Sequence, residues 1–327
     1  MKTATAGRAA VPAGPNPGIL PKRKPTLWQK VVKDFRRNKY KYLIILPVLV
    51  FFIIFAYKPM YGILIAFKQY KPTKGIWGSP WVGLENFRRF FSDIYFFRIL
   101  RNTFLISLYG ILFGFPVPIL FALLLNEIRS DRFKKTIQTA SYLPHFISTV
   151  IICAMLREFT YSDGLINDII AAFGGQRVTF LQFSRYFRTI YIASDIWQGF
   201  GWSSIIYLAA LTSVDQEQYE AARIDGAGRL RQAVSITIPG ILPTIVMLFI
   251  LRMGSILGVG NEKILLLYNP RTYETADVIS TYTYRQGLES MDFSYSTAIG
   301  LFNSLINIVF LLSTNVISKK YTEIGLF

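Results

Sequence analysis

Three polar side chains, Asp195, Gln198 and Trp202, recur at i, i+3 and i+7 in an otherwise apolar stretch. That spacing predicts one helix face on which a carboxylate, an amide and an indole can meet a polar solute. In a later apolar stretch Ser296, Gly300, Asn303 and Asn307 repeat the pattern, and Arg252 lies in a stretch between the two. A charge at the centre of a membrane helix costs roughly 2.5–3.5 kcal/mol or more, so such groups ordinarily turn inward. For Asn303 and Asn307 the competing use is hydrogen bonding between helices. For Asp195 and Arg252 it is a mutual or neighbouring ion pair. Covalent catalysis and metal binding have little to work with: His145 is the single histidine and Cys153 the single cysteine, so no catalytic residue and no metal ligand is expected. Nor does the chain contain the G-x-x-x-x-G-K-[ST] loop that cradles nucleotide phosphates.

The elements that must position these residues are membrane helices. With 327 residues, 52% hydrophobic, and a mean hydropathy of +0.36, the chain is too apolar and too unevenly patterned for an ordinary soluble domain. Six apolar segments approach spanning length, at about 43–66, 103–126, 141–157, 189–212, 240–259 and 295–317. The fold class expected is all-α: a polytopic membrane protein of six transmembrane helices, with a transmembrane domain over 42–327. The formal net charge of +17 is concentrated before the first segment, where Lys22, Arg23, Lys24, Lys30, Lys33, Arg36, Arg37, Lys39 and Lys41 crowd together. This pattern favours a cytoplasmic N-terminus, and an even number of spans returns the C-terminus to the same side. Segment 67–101, with Lys68, Lys71, Lys74, Arg88, Arg89, Arg98 and Arg101, would then be an unusually basic outer loop. Residues 1–41 read as a Pro- and Gly-containing tail followed by an amphipathic helix, with Trp28, Val31, Val32 and Phe35 on its apolar face, lying in the headgroups as a membrane anchor or held by a partner. Nucleic acid is not an expected partner, because no basic and aromatic residues interleave on a soluble platform.

Between the fourth and fifth apolar segments, residues 213–239 form a polar, helix-breaking insert. Ser213 or Asp215 can cap a short helix, with Gln216 and Gln218 three positions on as in a capping box. Gly226 and Gly228 close it, a second short helix runs from Arg229 to about Ile238, and Pro239 turns the chain into the fifth segment. Small residues Ala221, Ala222 and Ala227 leave the backbone open to close approach, while Glu220, Arg223 and Asp225 offer charged hydrogen bonds. By residue type alone this is equally a solvated hairpin and a docking element.

The run Glu220-Ala221-Ala222, followed by Asp225-Gly226-Ala227, Ile236 and Pro239, resembles the EAA coupling-helix loop of ABC-importer permeases. One position departs: Ala233 stands where that family usually has an aromatic residue. Trp81 to Phe87 (Trp-Val-Gly-Leu-Glu-Asn-Phe) resembles an outer-loop signature of the maltose-type carbohydrate permeases. Tyr142 to Ser148, Gly201-Trp202 with Tyr207 to Leu211, Tyr268-Asn269-Pro270 with Ala276 to Ile279, and the ending from Gly300 to Ser304 and at Leu326-Phe327 are similar to the subgroup that imports oligosaccharides and polysaccharide fragments. The likeness covers roughly residues 40–327.

The resemblance implies a transport subunit of the bacterial inner membrane and not an enzyme. It implies a second, homologous permease as partner, two ATP-binding subunits that hold ATP and Mg²⁺ while this chain holds no cofactor, and an extracytoplasmic solute-binding protein. It gives ATPase docking to Glu220, Ala221, Ala222, Arg223, Asp225, Gly226 and Ala227. Candidates for the substrate path are Asp195, Gln198, Trp202, Arg252, Asn261, Glu262, Lys263, Asn303 and Asn307; Trp197 and Trp202 suit stacking on sugar rings or anchoring at the interface. Where the family often reads Gly-Phe-Glu-Gln, this chain reads Gly260-Asn261-Glu262-Lys263. The change makes the mouth of the path more polar and basic, and with Arg252 nearby it favours an acidic, alginate-like uronate cargo over a neutral oligosaccharide. A membrane-embedded transferase and a passive channel are the alternatives; the first lacks a catalytic cluster, and the second has no need of a docking loop.

Overall fold

The computed structural model describes residues 26–327. Lys22, Arg23, Lys24 and the proposed tail over 1–25 lie outside the described residues. Every regular element among those described is helical, apart from an isolated antiparallel bridge between Lys68 and Trp81. Two units are distinct, the first ending at Tyr61 and the second running from Gly62 to Phe327.

The first unit holds α1, Leu27–Arg37, and most of α2, Lys39–Phe67. Asp34 ties the corner between them: Asn38 Nδ2 donates to it at 2.7 Å and Tyr42 Oη at 2.6 Å. The hydrogen bond from Tyr42 leads the effects that hold the Asp34 carboxyl below the usual carboxylate range. Apolar side chains from Leu43 to Phe55 are exposed, as they must be on a helix whose solvent is lipid.

In the second unit the long helical runs are α3, Phe96–Asn126; α4, Asp131–Phe146; α5, Thr149–Ala172; α6, Ser184–Leu211; α7, Gln216–Ile224; α8, Arg229–Met253; and α9, Phe293–Thr322. By length and apolarity α2, α3, α8 and α9 can each cross a membrane, and the α4–α5 pair makes a fifth candidate. With 28 residues, α6 is about 42 Å long, ample for a bilayer, but it carries Arg185, Arg188, Asp195 and Gln198.

Several boundaries differ from those read in the sequence. The segment at 141–157 is not one short span, because the chain bends by 95° between α4 and α5. Pro144 has no N–H for a helix interior, Ile147 and Ser148 are extended, and the Ser148 hydroxyl then caps α5 by accepting from the Ile151 amide at 3.4 Å. The fourth segment begins at Ser184, five residues early. The fifth begins at Arg229 and stops at Met253, so Pro239 does not turn the chain: it sits inside a continuous run, two residues after a π-helical stretch, Ala233–Thr237. Pro59 and Pro116 stand in the same relation to the π-helical stretches Ile53–Tyr57 and Gly110–Gly114. In each, the wider turn lets the chain continue past a residue that lacks an amide and crowds the preceding carbonyl.

Three of the seven basic side chains of segment 67–101 are engaged within the fold. Lys68 is buried and donates to the carbonyls of Ile76 at 2.8 Å and Ser79 at 3.3 Å. Arg89 pairs with Asp292 at 2.6 Å and Arg98 with Asp277 at 3.3 Å. The Trp81 to Phe87 signature clamps the end of α2: Trp81 stacks on Phe67 at 5.7 Å, the Val82 amide donates to the Phe67 carbonyl, and buried Asn86 Nδ2 donates to the Ala66 carbonyl at 2.8 Å. Asp277, fully buried in the later motif, takes both guanidinium nitrogens of Arg285 at 2.7 and 2.8 Å. These ties outweigh the burial that would lower it and raise the Arg285 pKa above the usual guanidinium range.

Candidate functional site

One groove runs along α6. One cavity of it, about 550 Å³, lies between α6 and α3 and is reached by Phe115 and Pro118 from α3, Asp195, Trp202 and Tyr207 from α6, and Arg252 from α8. A second cavity, about 240 Å³, shares Gly110, Asp195 and Arg252 with the first and extends to Tyr191 and the 255–260 turn. Asp195 and Arg252 thus stand where the two cavities meet.

α6 sits close enough to form this wall because Gly201 packs directly on α4. A Cβ there would lie 2.2 Å from the Ser141 carbonyl oxygen, so only glycine permits the approach. Trp202, the next residue, turns back and stacks on His145 at 4.7 Å with ring planes 3° apart. His145, beside Pro144, is therefore a stacking partner at the α4–α5 break.

The charges sort differently from the sequence reading. Asp195 pairs with Lys263 at 3.6 Å, while Arg252 has no carboxylate within ion-pair distance among the described residues. Lys263 is not at an open mouth. Its side chain is 6% exposed, under Tyr191, whereas Asp195 is 51% exposed to the groove. Burial makes an unpaired ammonium costly, so the pair holds Asp195 as a partner as much as it supplies charge. Where the two cavities meet, Arg252 is thus a cation without an ion-pair partner among the described residues.

Other candidates lie outside these cavities. Gln198 donates from Nε2 to the Ile147 carbonyl at 3.4 Å, serving the α4–α5 break. Asn307 Oδ1 accepts from the Leu257 amide at 2.9 Å, fastening the turn after α8 to α9. Asn261, Glu262 and Asn303 line neither cavity, and Asn261 and Asn303 each bury a side-chain oxygen without a partner. Sequence reasoning missed Tyr207, Phe115 and the small residues Gly110 and Gly199 of the wall. Gly199 lies four residues from Asp195 on the same face, and that spacing could have found it.

The Glu220 loop is built as a cap. Asp215 accepts from the Glu217 amide at 3.0 Å and starts α7; Ser213 instead donates to the Ala210 carbonyl, and the glutamines form no capping box. α7 closes in a Schellman motif: the Gly226 amide reaches the Arg223 carbonyl at 3.1 Å and the Ala227 amide the Ala222 carbonyl at 2.8 Å. Gly226 has φ +76°, which explains the glycine of Asp-Gly-Ala; Gly228, at φ −67°, has an ordinary backbone and precedes α8. Tyr219 Oη and Thr237 Oγ1, 2.8 Å apart, brace the two arms. Glu220, Ala221, Arg223, Asp225 and Gly226 are exposed, Ala222 and Ala227 half-buried. Ile224 and Leu230 stand 87% and 81% exposed beside them, an apolar pair on a polar loop.

A helical bundle with a groove that carries Asp195 and Arg252, and an exposed helix-glycine-helix between α6 and α8, fits a membrane permease. The chain belongs to the family of binding-protein-dependent transport system inner membrane components, whose model matches residues 114–323. It is an inner-membrane permease subunit of an ABC importer. It is 44% identical to protein LplB of Bacillus subtilis (strain 168) over 97% of this chain and 99% of that one. It is 45% identical to the polygalacturonan/rhamnogalacturonan transport system permease protein YteP of the same organism over the whole of both. Among solved structures it is similar to a chain of a bacterial ABC transporter involved in the import of the acidic polysaccharide alginate, with TM-score 0.84, 44% identity, and 90% of this chain and 99% of that one covered. A chain of a bacterial alginate ABC transporter in complex with an alginate pentasaccharide-bound periplasmic protein matches with the same score over 92% and 99%.

Proposed function

We propose that this permease imports an acidic, uronate-containing oligosaccharide or polysaccharide fragment. The observation that carries the reading is Arg252, a guanidinium without a carboxylate partner among the described residues, at the meeting point of two groove cavities. It is supported by the acidic cargo of the alginate importer and the polygalacturonan/rhamnogalacturonan of YteP, each similar over nearly the full chain. Arginine suits the task because its planar fork matches a carboxylate in two parallel hydrogen bonds.

In this reading α6 and the α4–α5 pair complete six spans with both termini cytoplasmic. A homologous second permease faces the groove, two ATPase subunits hold ATP and Mg²⁺, and a binding protein delivers cargo at the outer face. Glu220 to Ala227, with Ile224 and Leu230, enter a cleft of the ATPase. ATP-driven closure of the ATPase pair draws the loops together and turns the groove outward; hydrolysis lets it relax. Reversing such an equilibrium from 1:99 to 99:1 needs about 5.5 kcal/mol of differential interaction, which a braced loop can transmit.

The test is uptake by the complete importer in proteoliposomes, comparing a uronate oligomer with its carboxyl-reduced, neutral counterpart of equal length. Preferential uptake of the uronate is expected. Equal or faster uptake of the neutral oligomer overturns the acidic cargo.

A further inference from the structure

Beyond Asp195, away from the Glu220 loop, the groove along α6 continues into a third cavity of about 660 Å³. Tyr109 and Phe113 of α3 wall one side; Arg185, Arg188 and Ile196 of α6 wall the other. Arg188 precedes Asp195 by seven residues, two helical turns, so both lie on nearly the same face about 10 Å apart along the axis. Among the described residues neither arginine has a carboxylate within ion-pair distance.

Arg188 is held in place by neutral acceptors. Its Nη2 donates to Asn102 Oδ1 at 2.7 Å and its Nε to the Thr275 carbonyl at 3.4 Å. Asn102 is fully buried and fixed in turn, donating to the carbonyls of Glu274 at 2.9 Å and Asp277 at 3.0 Å. Those bonds set the plane of the guanidinium without neutralising it, and among the described residues they leave Nη1 uncommitted. The Arg185 guanidinium lies 4.5 Å from the Tyr186 ring, the stacked arrangement that stiffens an exposed arginine. Two oriented cations facing the two rings of the α3 wall fit a pyranose that bears a carboxylate: the rings cover its apolar face and the guanidinium takes the charge.

We propose that Arg185 and Arg188 form an entry subsite that binds the carboxylate of a uronate unit before the chain reaches Asp195 and Arg252. The proposal rests on the reading of the α6 groove as the path of an acidic cargo.

The experiment uses the complete importer in proteoliposomes with its binding protein saturated. Uptake rates of a uronate tetramer and its carboxyl-reduced counterpart are compared for wild type, R185Q, R188Q, the double variant and R188K, with yield of the assembled complex as the folding control. A hydrogen bond to a charged group is worth about 1.5 kcal/mol or more, so each glutamine variant is expected to slow the uronate about tenfold. The neutral tetramer should be unaffected, and R188K should recover part of the loss. Equal slowing of both tetramers, or an unchanged uronate rate in the double variant, overturns the subsite. Wild-type preference for the uronate together with either result leaves the cargo reading standing and removes only the subsite; absence of that preference removes both.

Discussion

At the scale of single residues, the groove charge is decided by which cation is already spoken for. Lys263 and Asp195 neutralise one another, so Lys263→Gln leaves a carboxylate facing cargo alone. Uptake of a uronate oligomer by this variant should fall well below that of a neutral one; equal losses would remove Lys263 and Asp195 from cargo selection. Asp93 shows the same logic outside the groove, where it accepts hydrogen bonds from Tyr282 and, at 2.7 Å, from Tyr295. Burial pushes its carboxyl up, but the tyrosine bonds, the Tyr95 amide and the charge of Arg89 outweigh burial and hold it below the ordinary 3.8. A carboxyl depressed in the folded state stabilises above its unfolded pKa and loses that contribution as pH falls through the folded value. The melting temperature of Asp93→Asn should therefore lie below wild type at neutral pH, and the gap should close only below about pH 4. A gap that closes between pH 7 and 5 would contradict this assignment. The i, i+3, i+7 spacing correctly places Asp195 and Trp202 at the groove, yet Gln198, at the edge of that face, meets the α4–α5 break instead. Sequence periodicity gives the face of a helix, not which neighbour covers its margin.

At the scale of elements, the two motif glycines of the Glu220 loop, proposed to dock the ATPase, separate cleanly. Gly226→Ala forces a side chain into the left-handed region at a cost of about 1 kcal/mol, with no neighbouring atom to clash, whereas Gly228→Ala meets neither strain nor contact. Retention of the ATPase subunits through purification should thus drop for Gly226→Ala and hold for Gly228→Ala; equal behaviour would mean the Schellman closure does not shape the docking surface. Gly201→Ala drives a methyl into the Ser141 carbonyl and should destabilise the α4–α6 packing by about 1–3 kcal/mol, seen as a lower thermal midpoint. The helical class and the loop were legible in sequence because apolar length and the Asp-Gly-Ala cap are local signals. The start of α6 was not. Arg185 and Arg188 look too polar for a span until the cavity they line is known, and so both fell outside the fourth segment. The 95° bend was equally hidden, since Pro144 marks a break without its angle.

At the scale of the whole molecule, part of the basic segment 67–101 is engaged within the fold: Lys68 on backbone carbonyls, Arg89 and Arg98 on carboxylates. In the proposed function the groove along α6 selects cargo and the Glu220 loop receives work, so transport depends on energy delivered through α7 and the Gly226 corner. The most direct measurement is the flux of a uronate oligomer into proteoliposomes containing the complete importer, with and without ATP on the ATPase side, for wild type and for Ile224→Asp. Flux is expected only with ATP, and its loss in Ile224→Asp should accompany loss of the ATPase subunits. Flux that persists without ATP, or that survives in Ile224→Asp after the ATPase has dissociated, would show a passive pore and contradict a permease driven through its loop.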